Sequence, residues 1–368
     1  MRIAIVNTLP VPSGNASVNR FLGYGKELVK LGVEVDVITS AHCENCRIDS
    51  VNIISCGKNS LLYALWRITQ LIRRGEYDAV ILVSNSLLLI YPVWGACKLS
   101  GAKCLQEKSE YPFVIMNKGG LHRLFAKLYV NTTYRLFDGM IVMTKPLLDY
   151  FKTKVRKGCR LFEMPMTVDT DRFDIEPKQN EIGDYFAYCG NMSNKKDGII
   201  NLLDSFVPVE RKFSNVKLVL IGGTTDIEYL SYLKQRVKDN HLKNVIFYGG
   251  VPREEIPSLL INARGLLLAR PSSLQSSGGF PTKLGEYLST GKPIVVTAVG
   301  DIPLYLNDDN SFIVPPDDNN AFSSAILTIL DNYDNAIQRG VLGRRLALSV
   351  FSSKVQSKRL YSYLQSII

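Results

Sequence analysis

The sequence predicts an α/β protein made of two doubly wound, parallel-sheet domains. Three observations carry that prediction. The chain has 368 residues, too many for one ordinary core and enough for two domains. A short β-branched run followed by a longer amphipathic stretch repeats along its length, the pattern of buried parallel strands joined by helices. Polar and proline-containing residues interrupt the periodicity near the middle, from Met164-Pro165-Met166 to Gly183. Hydrophobic residues make up 46% and charged residues 21%, which excludes wholesale disorder.

The first series of strands reads as Arg2–Asn7, Val33–Thr39, Ala79–Val83 and Met140–Met143, with a further short strand before Glu107. The N-terminal apolar run turns polar at Asn7 and is a strand rather than a secretory signal. Ala79 to Cys97 has the length of a membrane span. Ser84, Asn85, Ser86 and Pro92 divide it into a strand, a turn and a helix. The second series reads as Phe186–Gly190, Lys217–Ile221, Asn244–Tyr248, Gly265–Ala269 and Pro293–Thr297. The expected organisation is an N-terminal Rossmann-like domain over 1–168, an interdomain segment over 169–184 and a C-terminal Rossmann-like domain over 185–350. A last helix, 351–368, is expected to pack back on the N-terminal domain. Sheets of this class bind ligands beyond the carboxyl ends of their strands, in a cleft.

Charge is unevenly placed. Residues 1–165 hold 22 Lys+Arg and 12 Asp+Glu, the remainder 22 and 22, so the whole net charge of +10 lies in the first half. An anionic partner for that half follows, with basic clusters at Lys118–Lys127 and Lys152–Arg160 contributing. An anionic membrane surface fits; nucleic acid does not, because no motif or aromatic interleaving accompanies the charge. Seven cysteines, an odd number, read as reduced thiols.

Two loops carry chemistry. Ser276-Ser277-Gly278-Gly279-Phe280-Pro281-Thr282-Lys283-Leu284-Gly285-Glu286-Tyr287 follows the strand ending at Ala269-Arg270. Its glycines let backbone approach a ligand, and Pro281 opens a helix whose free N–H groups suit a pyrophosphate. Lys283 adds a charge, and Glu286, one turn on, is placed to accept from a vicinal diol such as ribose. Gly190-Asn191-Met192-Ser193-Asn194-Lys195-Lys196-Asp197-Gly198 again joins a strand to a helix and is a plausible phosphate cradle.

Together these loops resemble the donor-nucleotide motifs of family 4 retaining glycosyltransferases, of GT-B fold. The resemblance extends to Asn15–Thr39, to Val168-Asp169-Thr170-Asp171-Arg172-Phe173, and most specifically to Gly278 through Pro293. It implies that Lys196 binds the donor pyrophosphate, that Glu286 binds the ribose hydroxyls, and that the N–H groups of Gly279 to Lys283 face phosphates and sugar. Two positions depart from the pattern. Gly278 stands where many members have a Glu that holds the sugar, which leaves backbone groups or Ser276 and Ser277 to select it. Asn191 stands where many have Arg, and Arg270, at a strand's carboxyl end, is the candidate replacement cation. In the basic half, Glu110 of Glu107-Lys108-Ser109-Glu110-Tyr111-Pro112 is the candidate catalytic or acceptor-facing residue, and Gly14 the candidate phosphate-approaching glycine.

The resemblance implies a retaining hexosyltransferase that uses a nucleotide-sugar and a saccharide or lipid-linked oligosaccharide acceptor in surface polysaccharide synthesis. It implies a cytoplasmic protein, peripheral on the inner face of the plasma membrane. No cofactor or metal is expected: Asp169-Thr170-Asp171 falls in the interdomain segment, and His42-Cys43-Glu44-Asn45-Cys46 has only one CxxC pair. An epimerase of the same fold and a catalytically silent nucleotide-binding protein are the alternatives.

Overall fold

The computed structural model describes residues 1–57, 60–112, 129–177, 181–192 and 196–368. The basic cluster Lys118–Lys127 lies outside the described residues. The chain forms two compact units, Met1–Thr167 with Ser353–Ile368, and Val168–Ser352.

In the first unit, the elements are β1 (Arg2–Asn7), α1 (Ala16–Lys30), β2 (Glu34–Thr39), β3 (Cys46–Ile48), β4 (Val51–Ser55), α2 (Leu61–Arg74), β5 (Ala79–Val83), α3 (Leu87–Ser100), β6 (Lys103–Lys108), β7 (Gly139–Val142), α4 (Lys145–Lys152) and β8 (Arg160–Glu163). They build an eight-stranded sheet in the order β3-β4-β2-β1-β5-β6-β7-β8. All neighbours are parallel except the β3–β4 hairpin. β1 is central, with Ile3 opposite both Val35 and Ala79, and its apolar side chains are fully buried, as a parallel strand covered on both faces requires.

The last helix, Ser353–Ile367, packs on α1 in this unit. Leu360 and Leu364 enter the core, and the Tyr363 hydroxyl donates to the Arg160 carbonyl at 2.7 Å. Tyr363 stacks on Phe162 at 4.6 Å. Gly139 makes room for this helix: a Cβ there would lie 2.3 Å from the Tyr363 hydroxyl.

The second unit contains β9 (Tyr185–Cys189), α5 (Ile199–Lys212), β10 (Lys217–Ile221), α6 (Ile227–Asp239), β11 (Val245–Gly249), α7 (Ile256–Asn262), β12 (Gly265–Leu268), α8 (Leu274–Gly278), α9 (Thr282–Ser289), β13 (Ile294–Thr297), α10 (Ile302–Tyr305), β14 (Phe312–Val314), α11 (Asn319–Asp331) and α12 (Tyr333–Leu346). Its six strands are all parallel, in the order β11-β10-β9-β12-β13-β14. β9 and β12 are adjacent and central, so the loops leaving their carboxyl ends open at the same edge.

The strands absent from the sequence reading are β3, β4, β8 and β14. Three of them are sheet edges only three or four residues long. An edge strand with one open side needs no continuous apolar run, so its signal is short and half polar. The 79–97 stretch folds as β5, a turn and α3, with Pro92 inside the helix. Among the described residues no helix is long and apolar enough to cross a membrane.

Candidate functional site

The loop after β9 begins with Gly190 at φ +150°, where a Cβ would sit 2.7 Å from the Lys283 ammonium nitrogen. Glycine is needed there because backbone and lysine meet. The Tyr188 hydroxyl donates to the Asn191 carbonyl at 2.7 Å and accepts from Lys283 Nζ at 2.7 Å, which fixes the turn. Lys283 also lies 4.6 Å from the Tyr188 ring centroid and forms an ion pair with Asp197. At the end of the loop Gly198, at φ +64°, precedes α5, and a Cβ there would fall 1.8 Å from the Ala269 carbonyl oxygen. The loop is thereby pressed against the end of β12. Arg270, 6% exposed, donates from Nε to the Lys196 carbonyl at 3.2 Å, and its own carbonyl accepts the Thr297 hydroxyl at 2.8 Å.

Lys283 and Arg270 thus come together, with Lys283 paired to the buried carboxylate of Asp197 and Arg270 tied to the carbonyl of Lys196, the residue before Asp197. Burial pulls the Lys283 ammonium below its ordinary pKa, Asp197 opposes that shift, and the neighbouring Arg270 charge adds to it. Burial and Asp197 push the Tyr188 phenol well up, so it stays a neutral hydrogen-bonding group. Lys283 and Arg270 beside Asp197 make a partly desolvated, cation-bearing place that an anionic ligand would stabilise.

The 276–283 segment is more structured than an open glycine loop. Ser273 and Ser276 form a reciprocal capping box on α8, and Ser276, 1% exposed, turns its hydroxyl toward the Pro271 carbonyl at 2.8 Å. The Ser277 hydroxyl donates to Leu274 O at 2.9 Å. Gly278 is the last residue of α8. Of the groups expected to select the sugar, backbone groups or Ser276 and Ser277, the Ser276 hydroxyl caps its own helix. The Gly279 N–H donates to Gln275 O at 3.1 Å, so it too is used inside the turn. Pro281, expected within the first helical turn, is instead the residue before it, and α9 starts at Thr282. The helix-terminal donors are consequently the N–H groups of Thr282 and Lys283. Phe280 is buried against Tyr305 and Phe351, with centroids 5.7 and 5.5 Å away, and anchors the loop.

Glu286 lies on α9 beside Arg172. Arg172 Nη1 reaches Glu286 Oε1 at 3.1 Å, and Nη2 donates to the Arg253 carbonyl at 2.6 Å. Burial and the adjacent Arg172 charge lower the Arg253 pKa, with Glu286 and Asp169 acting the other way. Asp169 therefore faces an arginine. Among the described residues no group of three or more His, Cys, Asp or Glu side chains is placed to hold a metal ion.

In the first unit, half-buried Glu110 follows β6. Glu107, three residues before it, is an internal strut: Arg20 Nε donates to its Oε1 at 2.6 Å and the Tyr24 hydroxyl to its Oε2 at 2.9 Å. Arg20 also donates to the Pro165 and Met164 carbonyls at 2.7 and 2.8 Å. Gly14 is exposed before α1, and a Cβ there would meet nothing within 4 Å, so its turn does not demand glycine. Lys108, at the end of β6, is buried with its ammonium against the Asn85 side-chain oxygen, 3.3 Å from the Tyr129 hydroxyl and 5.2 Å from the Tyr134 ring centroid. Desolvation lowers its pKa to about 7.

A family model described as "Glycosyl transferases group 1" matches residues 183–332, which span both loops of the cation cluster. The match lies within the second unit. No curated protein sequence matches the chain. Solved structures similar over its full length include the Anabaena HepE protein in complex with UDP and glucose, with a TM-score of 0.79, 15% identity and 100% of both chains covered. They also include a glycosyltransferase from Rickettsia africae, at TM-score 0.77 and 16% identity, with 100% of this chain and 98% of that one covered. A sucrose-phosphate synthase from Thermosynechococcus elongatus matches at TM-score 0.77 and 15% identity, with the same coverage. The fold is GT-B.

Within the group 1 segment, the sequence reading passed over Asp197 and Tyr188; outside it, Arg172 was quoted without a role. A carboxylate next to a lysine pair was the available signal for Asp197. Tyr188 sits in a run that reads as ordinary core strand, and nothing local shows that its hydroxyl ends up under Lys283.

Proposed function

We propose that the chain is a retaining glycosyltransferase. It moves a sugar from a nucleotide-sugar donor to a saccharide or lipid-linked oligosaccharide in surface polysaccharide synthesis. The observation that carries this reading is the meeting of the two loops at the ends of β9 and β12, where Lys283 pairs with Asp197 beside Arg270 and Arg270 holds the Lys196 carbonyl. Cleaving a nucleotide-sugar builds negative charge on the leaving diphosphate, and fixed cations in a low-dielectric place lower that barrier without reorganising. The N–H groups of Thr282 and Lys283, at the start of α9, add a helix-terminal anion site. Glu286 takes the ribose hydroxyls, with Arg172 orienting its carboxylate. The leaving phosphate accepts the proton of the incoming hydroxyl on the same face, which preserves the anomeric configuration and uses no separate nucleophile. Gly14 and Glu110 serve donor approach and acceptor contact. The protein works in the cytoplasm without a metal, its basic first half toward an anionic membrane face.

Thermal-shift titration with nucleoside diphosphates and their sugars tests the donor site, since saturating ligand raises the melting temperature of the form that binds it. A panel in which no nucleotide raises that temperature sinks the reading. The anomeric proton signal of the product tests retention. Isomerised sugar from a donor-only incubation would replace transfer with epimerisation.

A further inference from the structure

Exposed faces of helices on α/β sheets are ordinarily charged, and in the first unit α2 and α3 depart from this. Both join parallel strands, β4 to β5 past β2 and β1, and β5 to β6, so both run against the strand direction and cross the sheet the same way. Right-handed crossovers place them on the same sheet face, and they pack on one another. On α2 the outward stripe is Leu62, Trp66, Thr69 and Arg73, spaced by four, three and four residues. Leu62 is 79% exposed and Trp66 57%. On α3 the corresponding stripe is Leu88, Tyr91, Gly95 and Leu99, with Leu88 61%, Tyr91 45% and Leu99 74% exposed. Neither helix contains an aspartate or glutamate, while Arg67, Arg73, Arg74 and Lys98 lie on them. The exposed charges, Arg73, Arg74 and Lys98, sit at the carboxyl-terminal ends, beside Leu99.

We infer that the α2–α3 face docks on an anionic phospholipid bilayer, with Leu62, Trp66, Leu88, Tyr91 and Leu99 entering the headgroup boundary and Arg73, Arg74 and Lys98 held at its phosphates. This rests on the membrane partner proposed above and narrows it to one surface. A leucine stripe carrying tryptophan and tyrosine, rimmed by cations, is the composition that lies in a membrane interface. Charge selects this occupant over a second copy of the chain: neither helix carries an acid, and although Lys98 is paired with Asp138, two such faces would meet with an excess of cations from Arg73 and Arg74. The apolar term gives attachment, and the cations give lipid selectivity and salt sensitivity.

The test is co-sedimentation of the full chain with vesicles of phosphatidylcholine alone and of phosphatidylcholine mixed with phosphatidylglycerol. The parent is expected in the pellet with the mixed vesicles only, released by salt, with the Trp66 emission shifted to the blue in a Trp94→Phe background. Leu62→Glu with Leu88→Glu should lower vesicle affinity at least about tenfold, as loss of two buried leucines implies. Ile227→Glu, an equally exposed apolar residue on α6 of the other unit, should leave binding unchanged, and melting curves confirm that each variant folds. A parent that ignores phosphatidylglycerol overturns the membrane reading as a whole. A parent that binds equally with and without the two glutamates overturns only the choice of surface. Concentration-dependent dimers abolished by the same two substitutions would overturn it too and give the face to a second copy.

Discussion

Arg172 and Glu286 form a half-buried ion pair, Nη1 to Oε1 at 3.1 Å, while the other end of the guanidinium is tied to the Arg253 carbonyl. The carboxylate proposed to bind ribose is thus held in place before any ligand arrives. Only one of its oxygens is committed in that contact, so the other remains geometrically available as an acceptor. Glu286→Ala and Lys196→Ala should each weaken nucleoside diphosphate binding by about ten- to a hundredfold, the usual effect of losing a charge-assisted contact. Arg172→Met should weaken it less, because it loosens the carboxylate without removing it. Isothermal titration of the three variants checks the order. Unchanged affinity in both Glu286→Ala and Lys196→Ala would disprove the donor site.

Asp197 is the counter-charge of the cluster, and its removal separates structure from ligand binding. Breaking a buried ion pair leaves the surviving charge unpaired, at a cost of about 3–5 kcal/mol. Asp197→Asn leaves Lys283 without its counter-charge and facing the Arg270 charge, so the unliganded protein should melt earlier than the parent. A nucleoside diphosphate then supplies the missing negative charge and should raise the variant's melting temperature by more than it raises the parent's. An equal or smaller rise would show that the cluster is a folding device with no anion to bind.

Much of this arrangement was legible in the sequence, and the parts that were not share a physical reason. β1, β5 and β10 are central strands buried on both faces, and their continuous apolar runs coincide with the observed boundaries. The glycines of the β9 loop were legible, and the start of α9 to within about a residue, because glycine and proline are local punctuation. Side-chain pairing was not legible. Arg172 meets Glu286 across 114 residues and Lys283 meets Asp197 across 86, contacts that only the folded sheet creates. Ser276 is a local case of the same kind: its neighbour three residues back, Ser273, draws its hydroxyl into a helix cap.

Lys108 gives a pH dependence whose sign follows from burial. Its ordinary pKa of 10.5 falls to about 7 in the folded chain. Between those values the unfolded chain carries the proton and the folded chain does not, so stability rises with pH across that window. Below about pH 7 both states are protonated and the full penalty of a buried ammonium remains. Lys108→Met should therefore stabilise the protein most below neutrality, with the advantage shrinking as pH climbs toward 10.5. Urea unfolding at stepped pH, with the ε-carbon NMR shift of Lys108 followed directly, measures both. An ε-carbon that titrates near 10.5 would mean that Asn85 and the Tyr134 face compensate the charge in full.

The proposed donor site predicts turnover without a divalent ion, its fixed cations and helix terminus taking that role at the phosphates. Asp169 faces Arg253 and shares its segment with Asp171 in the sequence Asp-Thr-Asp. Activity lost to a chelator and restored by Mg²⁺ or Mn²⁺ would return both aspartates to the ligand set.

Arg270 is the residue on which donor binding and chemistry should part. Its Nε is spent on the Lys196 carbonyl, so the guanidinium plane lies against the loop that carries Lys196. Asn191 brings no charge to that loop, and the leaving diphosphate still gains negative charge as the glycosidic bond breaks. A guanidinium can hold the loop with one nitrogen while turning another toward a phosphate oxygen, a geometry lysine does not reproduce. If that contact strengthens in the transition state, Arg270→Lys lowers the rate more than it weakens donor binding. The loss should be about one to two orders of magnitude in rate, as for an oxyanion-type donor. Donor affinity and single-turnover rate are measured on the same variant, with its melting temperature as the control for folding. A variant that melts early yet turns over normally would make Arg270 a brace for the Lys196 loop and nothing more. Equal losses in affinity and rate would place its contact in the ground state, and the charge on the leaving group would then fall to Lys196 and Lys283.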